Sequence, residues 1–212
     1  MPRHAPFGSP LVGAEPGWYR GEHTPYYTAS HVAFRAKVRE FVETLIRPNV
    51  DDYVERGQYD MDLHRVAHER GISTVVFPKE FGGAKEDHDY FHRLILWDEL
   101  ARCGGGMAFG QLSVNTMALP LITNFGSDDM KRRVAPAVVR GEKFISLAVS
   151  EPHAGSDIMN LRTTAVESAD GKTFTISGVK KWISGGAQAH YFVVAARTGD
   201  PGIMGLSLFL VE

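Results

Sequence analysis

The stretch RGEKFISLAVSEPHAGSD, residues 140–157, contains the change of pattern that decides the fold. Upstream of Glu142 apolar residues recur at helical spacing; downstream they gather into short β-rich runs separated by Gly- and Asp-containing turns. FISLAV (144–149) is the first run, and TFTIS (173–177), YFVVAA (191–196) and LSLFLV (206–211) follow it. Helices followed by strands, rather than alternating with them, predict an α+β chain: an N-terminal all-α helical domain and then an antiparallel β domain. The expected divisions are an extended segment over 1–29, a helical domain over 30–143 and an incomplete β domain over 144–212.

Upstream, Phe34, Val38, Phe41, Val42 and Leu45 form one face of a helix expected from Ser30 to Ile46, just before Pro48. A shorter helix is expected from Asp62 to the glycine stop at Gly71, and another from Asp87 to Arg102, ended by Gly104, Gly105 and Gly106. FPKEFGG (77–83), between them, reads as extended chain. Residues 107–125 are mostly apolar, with Pro120 as an expected break or kink, and Ser127-Asp128-Asp129 caps a further helix over 127–140. The first 27 residues carry five prolines and read as a segment that wraps a surface or stays mobile, not an export signal. At the other end LFLVE leaves a four-strand domain with an unpaired last edge, which reads as a truncated or split chain.

The 212 residues are 43% hydrophobic and 23% charged, enough to bury a real core. Lys plus Arg (23) nearly balances Asp plus Glu (25), so no global field draws the chain to nucleic acid. The single cysteine, Cys103, allows neither an internal disulfide nor a thiolate zinc site. No apolar run approaches a membrane-spanning length. A cytoplasmic location is the expectation, with mitochondrial and peroxisomal ones left open.

His64 and His68, and likewise His88 and His92, stand four residues apart on helices. Neither pair sits in HExxH and no third ligand is evident, so solvated helix faces are expected and no metal site. GGGMAFG (104–110) has Phe109 where a GxGxxG loop needs glycine, and follows a helix; it reads as a terminator. SEPHAGSD is different, because it follows a strand directly and its small residues let a ligand approach the backbone. A binding turn and a purely structural turn both remain open on these residues alone. KKWISGG (180–186) offers an indole, a hydroxyl and two glycines, although a lone strand tryptophan is more often core.

Taken in order, FPKEFGG, FGSDDMKRRVAPAVVRGEK, LAVSEPHAGSD and VKKWISGG resemble the acyl-CoA dehydrogenase family of flavoproteins over about residues 30–212. The resemblance implies a helical domain, a middle β domain and a C-terminal helical domain, the last absent here, with FAD held between the second and third. It implies flavin contacts from Leu147, Ala148, Val149, Ser150, Gly155, Ser156, Trp182, Ile183 and Ser184, with Ser156 also reaching the acyl-CoA. Hydroxyl donors such as Ser150 and Ser184 suit a flavin that gains charge on reduction, and a flat indole excludes water from a ring. Glu151 and Asp157 read as turn organisers.

The implied reaction is FAD-dependent α,β-dehydrogenation of an acyl-CoA to trans-2-enoyl-CoA, by a base expected beyond Glu212. The implied partners are an electron-transfer flavoprotein and, for the full-length protein, further copies of itself. Two other readings stand beside this one: a non-catalytic binding or partner subunit, and an acyl-CoA oxidase-type flavoenzyme.

Overall fold

The computed structural model describes residues 17–104 and 106–212; within these, the side chains of residues 20 and 106–111 are not described. Most of the expected N-terminal segment, and Gly105 of the glycine run, therefore lie outside the described residues.

Six α-helices come first: α1 (Ala29–Phe41), α2 (Val50–Arg56), α3 (Asp62–Glu69), α4 (Tyr90–Ala101), α5 (Gly106–Phe125) and α6 (Asp128–Val139). The helix expected through Ile46 instead changes at Phe41 into a π-helical turn, Val42–Ile46, ahead of Pro48. Proline brings no N–H and crowds the carbonyl four residues back, so the regular ladder cannot run through it. Pro120, expected to break its helix, lies inside a continuous α5. Gly106 opens α5 rather than closing α4, whose exit is Gly104 in the left-handed region. Ser127 caps α6 as expected, its Oγ accepting from Met130 N at 3.3 Å.

α1 and α4 lie side by side with their N-termini together. Their apolar faces, including Phe34, Val38, Phe41, Ile95, Leu96 and Leu100, form the first core. FPKEFGG is a tight turn rather than extended chain. Lys85 N donates to Phe77 O at 2.9 Å, and a β-carbon on Gly83 would fall 2.0 Å from that oxygen, so only glycine fits. The turn delivers Phe77 and Phe81 to a second core with Leu119 and Ile122 of α5, Val138 of α6 and the sheet residues Ile145 and Val193.

The sheet contains β1 (Ile145–Ala148), β2 (Thr164–Glu167), β3 (Phe174–Ser177), β4 (Tyr191–Arg197) and β5 (Leu206–Val211). β4 is the hub. It runs parallel to β1, from Ile145 opposite Tyr191 to Ala148 opposite Val194, and antiparallel to β5, from Phe192 opposite Val211 to Arg197 opposite Leu206. β2 joins β4 in parallel where Thr164 meets Arg197, and pairs antiparallel with β3.

The sheet is thus mixed, which corrects the antiparallel expectation. After β1 the chain makes the β2–β3 hairpin and returns through residues 178–190 to start β4 beside the start of β1, so the two strands point the same way. β2 escaped the sequence because only Ala165 of its four residues is buried, leaving no apolar run. Among the described residues β5 pairs with β4 alone, and its Phe209 ring lies 5.1 Å from that of Phe174 on β3.

Candidate functional site

β1 is seated on α5 by Asn115, whose buried side-chain Oδ1 accepts from Ile145 N at 3.1 Å. Alternation along the strand puts Ser146 and Ala148 on one, buried face and Ile145, Leu147 and Val149 on the other, where burial at Ile145 gives way to the partly open Leu147 and Val149 beside α5. Beyond β1 the chain doubles back: Glu151 N donates to Ala154 O at 2.8 Å, and Ala154 N donates to Glu151 O at 3.2 Å.

The Glu151 carboxylate anchors this turn. It accepts from Arg162 N at 2.7 Å, Thr163 N at 2.9 Å and Lys180 Nζ at 2.9 Å. Burial pushes its carboxyl up, but the Lys180 ammonium and Thr163, then the backbone N–H groups, outweigh burial and hold it at about 2. Asp157 organises the next turn, its carbonyl accepting from Asn160 N at 3.2 Å.

KKWISGG lies in the irregular segment between β3 and β4. It is stapled to the turn at its two ends: Lys181 N donates to Ser150 O at 2.9 Å, and Ser146 Oγ donates to Ser184 O at 2.9 Å. Trp182, between the staples, has φ +62° and is 79% exposed, so it is no core residue. A bulky side chain in the left-handed region costs free energy and persists only where the surroundings impose it.

These segments and α5 enclose a cavity of about 160 Å³ lined by Leu147, Val149, Ser150, Trp182, Ile183, Ser184, Val114 and Met117. Six residues named from sequence thus meet around one space. Three do not line it: Ala148 is buried beneath the strand, while Gly155 and Ser156 are exposed on the turn. Val114 and Met117 were missed. They belong to an apolar run in which nothing local separates a cavity wall from core, yet Met117 is 53% exposed. Among the described residues the lining contains hydroxyls, apolar side chains and an indole, and no carboxylate.

The histidine pairs correct another expectation. His64 and His92 are buried rather than on solvated faces. The His64 Nε2 meets the Tyr59 hydroxyl, and burial pushes the imidazole down to about 4. His92 stands in the capping box of α4 with Asp89, and His31 in that of α1 with Thr28. His31 Nε2 lies 2.9 Å from Asp89 Oδ1, so the sequence missed two neighbours of His92. Ligand atoms of these three residues lie within 4.8 Å of one another. Both imidazoles are already committed to helix ends: Thr28 N donates to His31 Nδ1 at 2.9 Å, and Asp89 N to His92 Nδ1 at 3.3 Å.

The chain matches the family model for the acyl-CoA dehydrogenase N-terminal domain over residues 28–142 and that for the acyl-CoA dehydrogenase middle domain over residues 146–212. The chain belongs to the acyl-CoA dehydrogenase family. An acyl-CoA dehydrogenase of Alternaria alternata is 34% identical over 95% of this chain and 49% of its own. The acyl-CoA dehydrogenase of Geobacillus kaustophilus is 29% identical over 90% of this chain and 50% of that one, with a TM-score of 0.77. That of Bacillus anthracis, solved complexed with FAD, is 27% identical over 90% of this chain and 32% of that one, also with a TM-score of 0.77. The chain spans about half the length of the curated relatives it matches. In this chain both matched regions border the cavity: α5 comes from the first, β1 and KKWISGG from the second.

Proposed function

We propose that the chain is the flavin-holding half of an FAD-dependent acyl-CoA dehydrogenase, which converts an acyl-CoA to its trans-2-enoyl-CoA. The observation that carries this reading is the exposed, left-handed Trp182 beside the Ser150 and Ser184 hydroxyls at one cavity. The donor set fits a flavin. Ser150 and Ser184 would hold it by O–H donation, Trp182 would cover its ring, and Leu147, Val149 and Ile183 would keep water from its edge. When bound, FAD supplies the acceptor for the β-hydride.

Ala148 would support this wall from beneath, and Gly155 and Ser156, on the open face of the turn, would meet the acyl-CoA side. The α-proton needs a positioned base. No carboxylate lines the cavity among the described residues, and in this reading the base would come from a segment other than those that wall it. Electrons would leave through an electron-transfer flavoprotein, and the full-length protein would assemble with copies of itself. Among the described residues no helix is long and apolar enough to cross a membrane; a cytoplasmic location remains part of this proposal.

The test is to give the full-length protein acyl-CoAs of several chain lengths with an artificial electron acceptor and follow flavin absorbance. Bleaching with enoyl-CoA formation is expected. Absence of flavin reduction at every chain length would overturn the reading, and rapid oxygen consumption with hydrogen peroxide would reassign it to an oxidase.

A further inference from the structure

KKWISGG contains two adjacent lysines that the fold treats differently. Lys181 is exposed, its Nζ 4.5 Å from the centroid of the Trp182 ring. Lys180 turns inward: its side chain is 12% exposed, and its Nζ donates at 2.9 Å both to Val149 O and to the Glu151 carboxylate. That carboxylate is 1% exposed and is itself pinned by Arg162 N and Thr163 N, with His153 Nε2 at 3.3 Å from its other oxygen.

The ammonium therefore spans the two segments that wall the cavity. On one side it holds the last residues of the β1 exit; on the other it fixes the backbone one residue before the Lys181 N–Ser150 O bond and two before the strained Trp182. A left-handed tryptophan must be held by its neighbours or it relaxes toward φ < 0. The Lys181 N–H bond and the Ser184 carbonyl bond bracket Trp182, but both are single neutral hydrogen bonds. The Lys180 link is ionic, double and nearly dry, and so is the strongest of the three.

We infer that Lys180, through Glu151, is a positioning residue that locks the 180–184 segment onto the β1 exit and thereby sets the orientation of Trp182. The lock is defined by contacts within the chain. Its consequence for FAD rests on the functional reading above.

The experiment measures amide hydrogen exchange at Lys181 and the indole NMR signal of Trp182 in the full-length protein without FAD, followed by FAD affinity. Lys180→Met should speed exchange at the Lys181 amide by about tenfold and shift the Trp182 signal, while β4 amides keep their protection. Lys181→Met, which removes the same charge one position along, should leave the backbone amide at position 181 protected. Glu151→Gln removes the charge and keeps an acceptor oxygen for one of the two backbone amides, Arg162 N or Thr163 N, and should reproduce the Lys180→Met effect, with retained β4 protection showing that the protein still folds. Lys180→Arg should restore part of the protection.

Unchanged exchange and an unchanged Trp182 signal in both Lys180→Met and Glu151→Gln would overturn the proposal. Released exchange together with an FAD affinity weakened about tenfold supports both the lock and the flavin reading. Released exchange with unaltered FAD affinity would confirm the lock and remove the flavin from the cavity beside Trp182, so the two failures are distinguishable.

Discussion

Arg39 of α1 and Glu99 of α4 form a bidentate ion pair inside the helical domain, Arg39 Nη2 lying 2.8 Å from Glu99 Oε1 and the Glu99 side chain 0% exposed. With His31 and Asp89 at the other end, it pins two parallel helices at both ends of their contact. A buried pair costs much to break and little to replace as a unit. Glu99→Ala should destabilise the protein by about 3–5 kcal/mol, while the double variant Arg39→Met/Glu99→Leu should recover most of the loss. Urea unfolding of the three proteins, parent, Glu99→Ala and double variant, measures this; a double variant no better than Glu99→Ala would refute it.

His64 should make the protein acid-sensitive before its carboxylates do. Burial lowers its folded value from 6.5 to about 4, so below pH 6.5 the unfolded chain binds a proton that the folded one refuses. The stability is complete above pH 6.5 and is lost as pH falls toward 4. At pH 5 the loss is about 2 kcal/mol. His64→Gln should lose correspondingly less between pH 7 and pH 5 in urea titrations, and an equal loss would show that His64 is not the group responsible.

Gly141 closes α6 with φ +73° and touches α3, where an added β-carbon would sit 2.4 Å from Arg65 N and from the carbonyl carbon of His64. Backbone atoms on a packed helix cannot move aside as a side-chain tip can. Gly141→Ala therefore combines a disfavoured left-handed conformation with a backbone clash and should cost at least about 2 kcal/mol, read as a lowered melting temperature. A melting temperature within a degree or so of the parent would contradict the geometry.

Trp182 should show opposite signs in stability and binding. Trp182→Gly relieves a left-handed side chain that is already largely exposed, so thermal stability should hold or rise by up to about 1 kcal/mol. FAD affinity in the full-length protein should fall. A variant that loses stability and keeps FAD would place the indole in the scaffold instead.

The serines should separate by ligand. Ser150 lines the cavity and Ser156 stands outside it, so Ser150→Ala should weaken FAD by about 0.5–1.5 kcal/mol, and Ser156→Ala should weaken acyl-CoA instead. Titrations of each variant with both ligands decide this, and identical profiles would remove the distinction.

Much of this protein is legible locally. The switch from helical to strand periodicity near residue 143, the cap at Ser127 and four of the five strands follow from residue order, because burial on one face of an element leaves a 3.6- or 2-residue pattern. The ordered motifs from FPKEFGG to VKKWISGG likewise marked the family, and six of the nine residues they implied meet at one cavity.

What sequence could not supply depends on which distant segments touch. β2 is nearly all exposed and leaves no apolar trace, and β4 runs parallel to β1 only because the hairpin between them returns the chain to the same end. Met117 differs from its apolar neighbours only in facing the cavity, and His64 only in being dry. Lys180 and Lys181 are the same residue side by side; the buried Glu151, 29 positions away from Lys180, makes one an anchor and leaves the other in solvent. Periodicity records how each element meets its own surroundings. Pairing across the chain, and the charges and strain that it fixes, exists only once those surroundings have assembled.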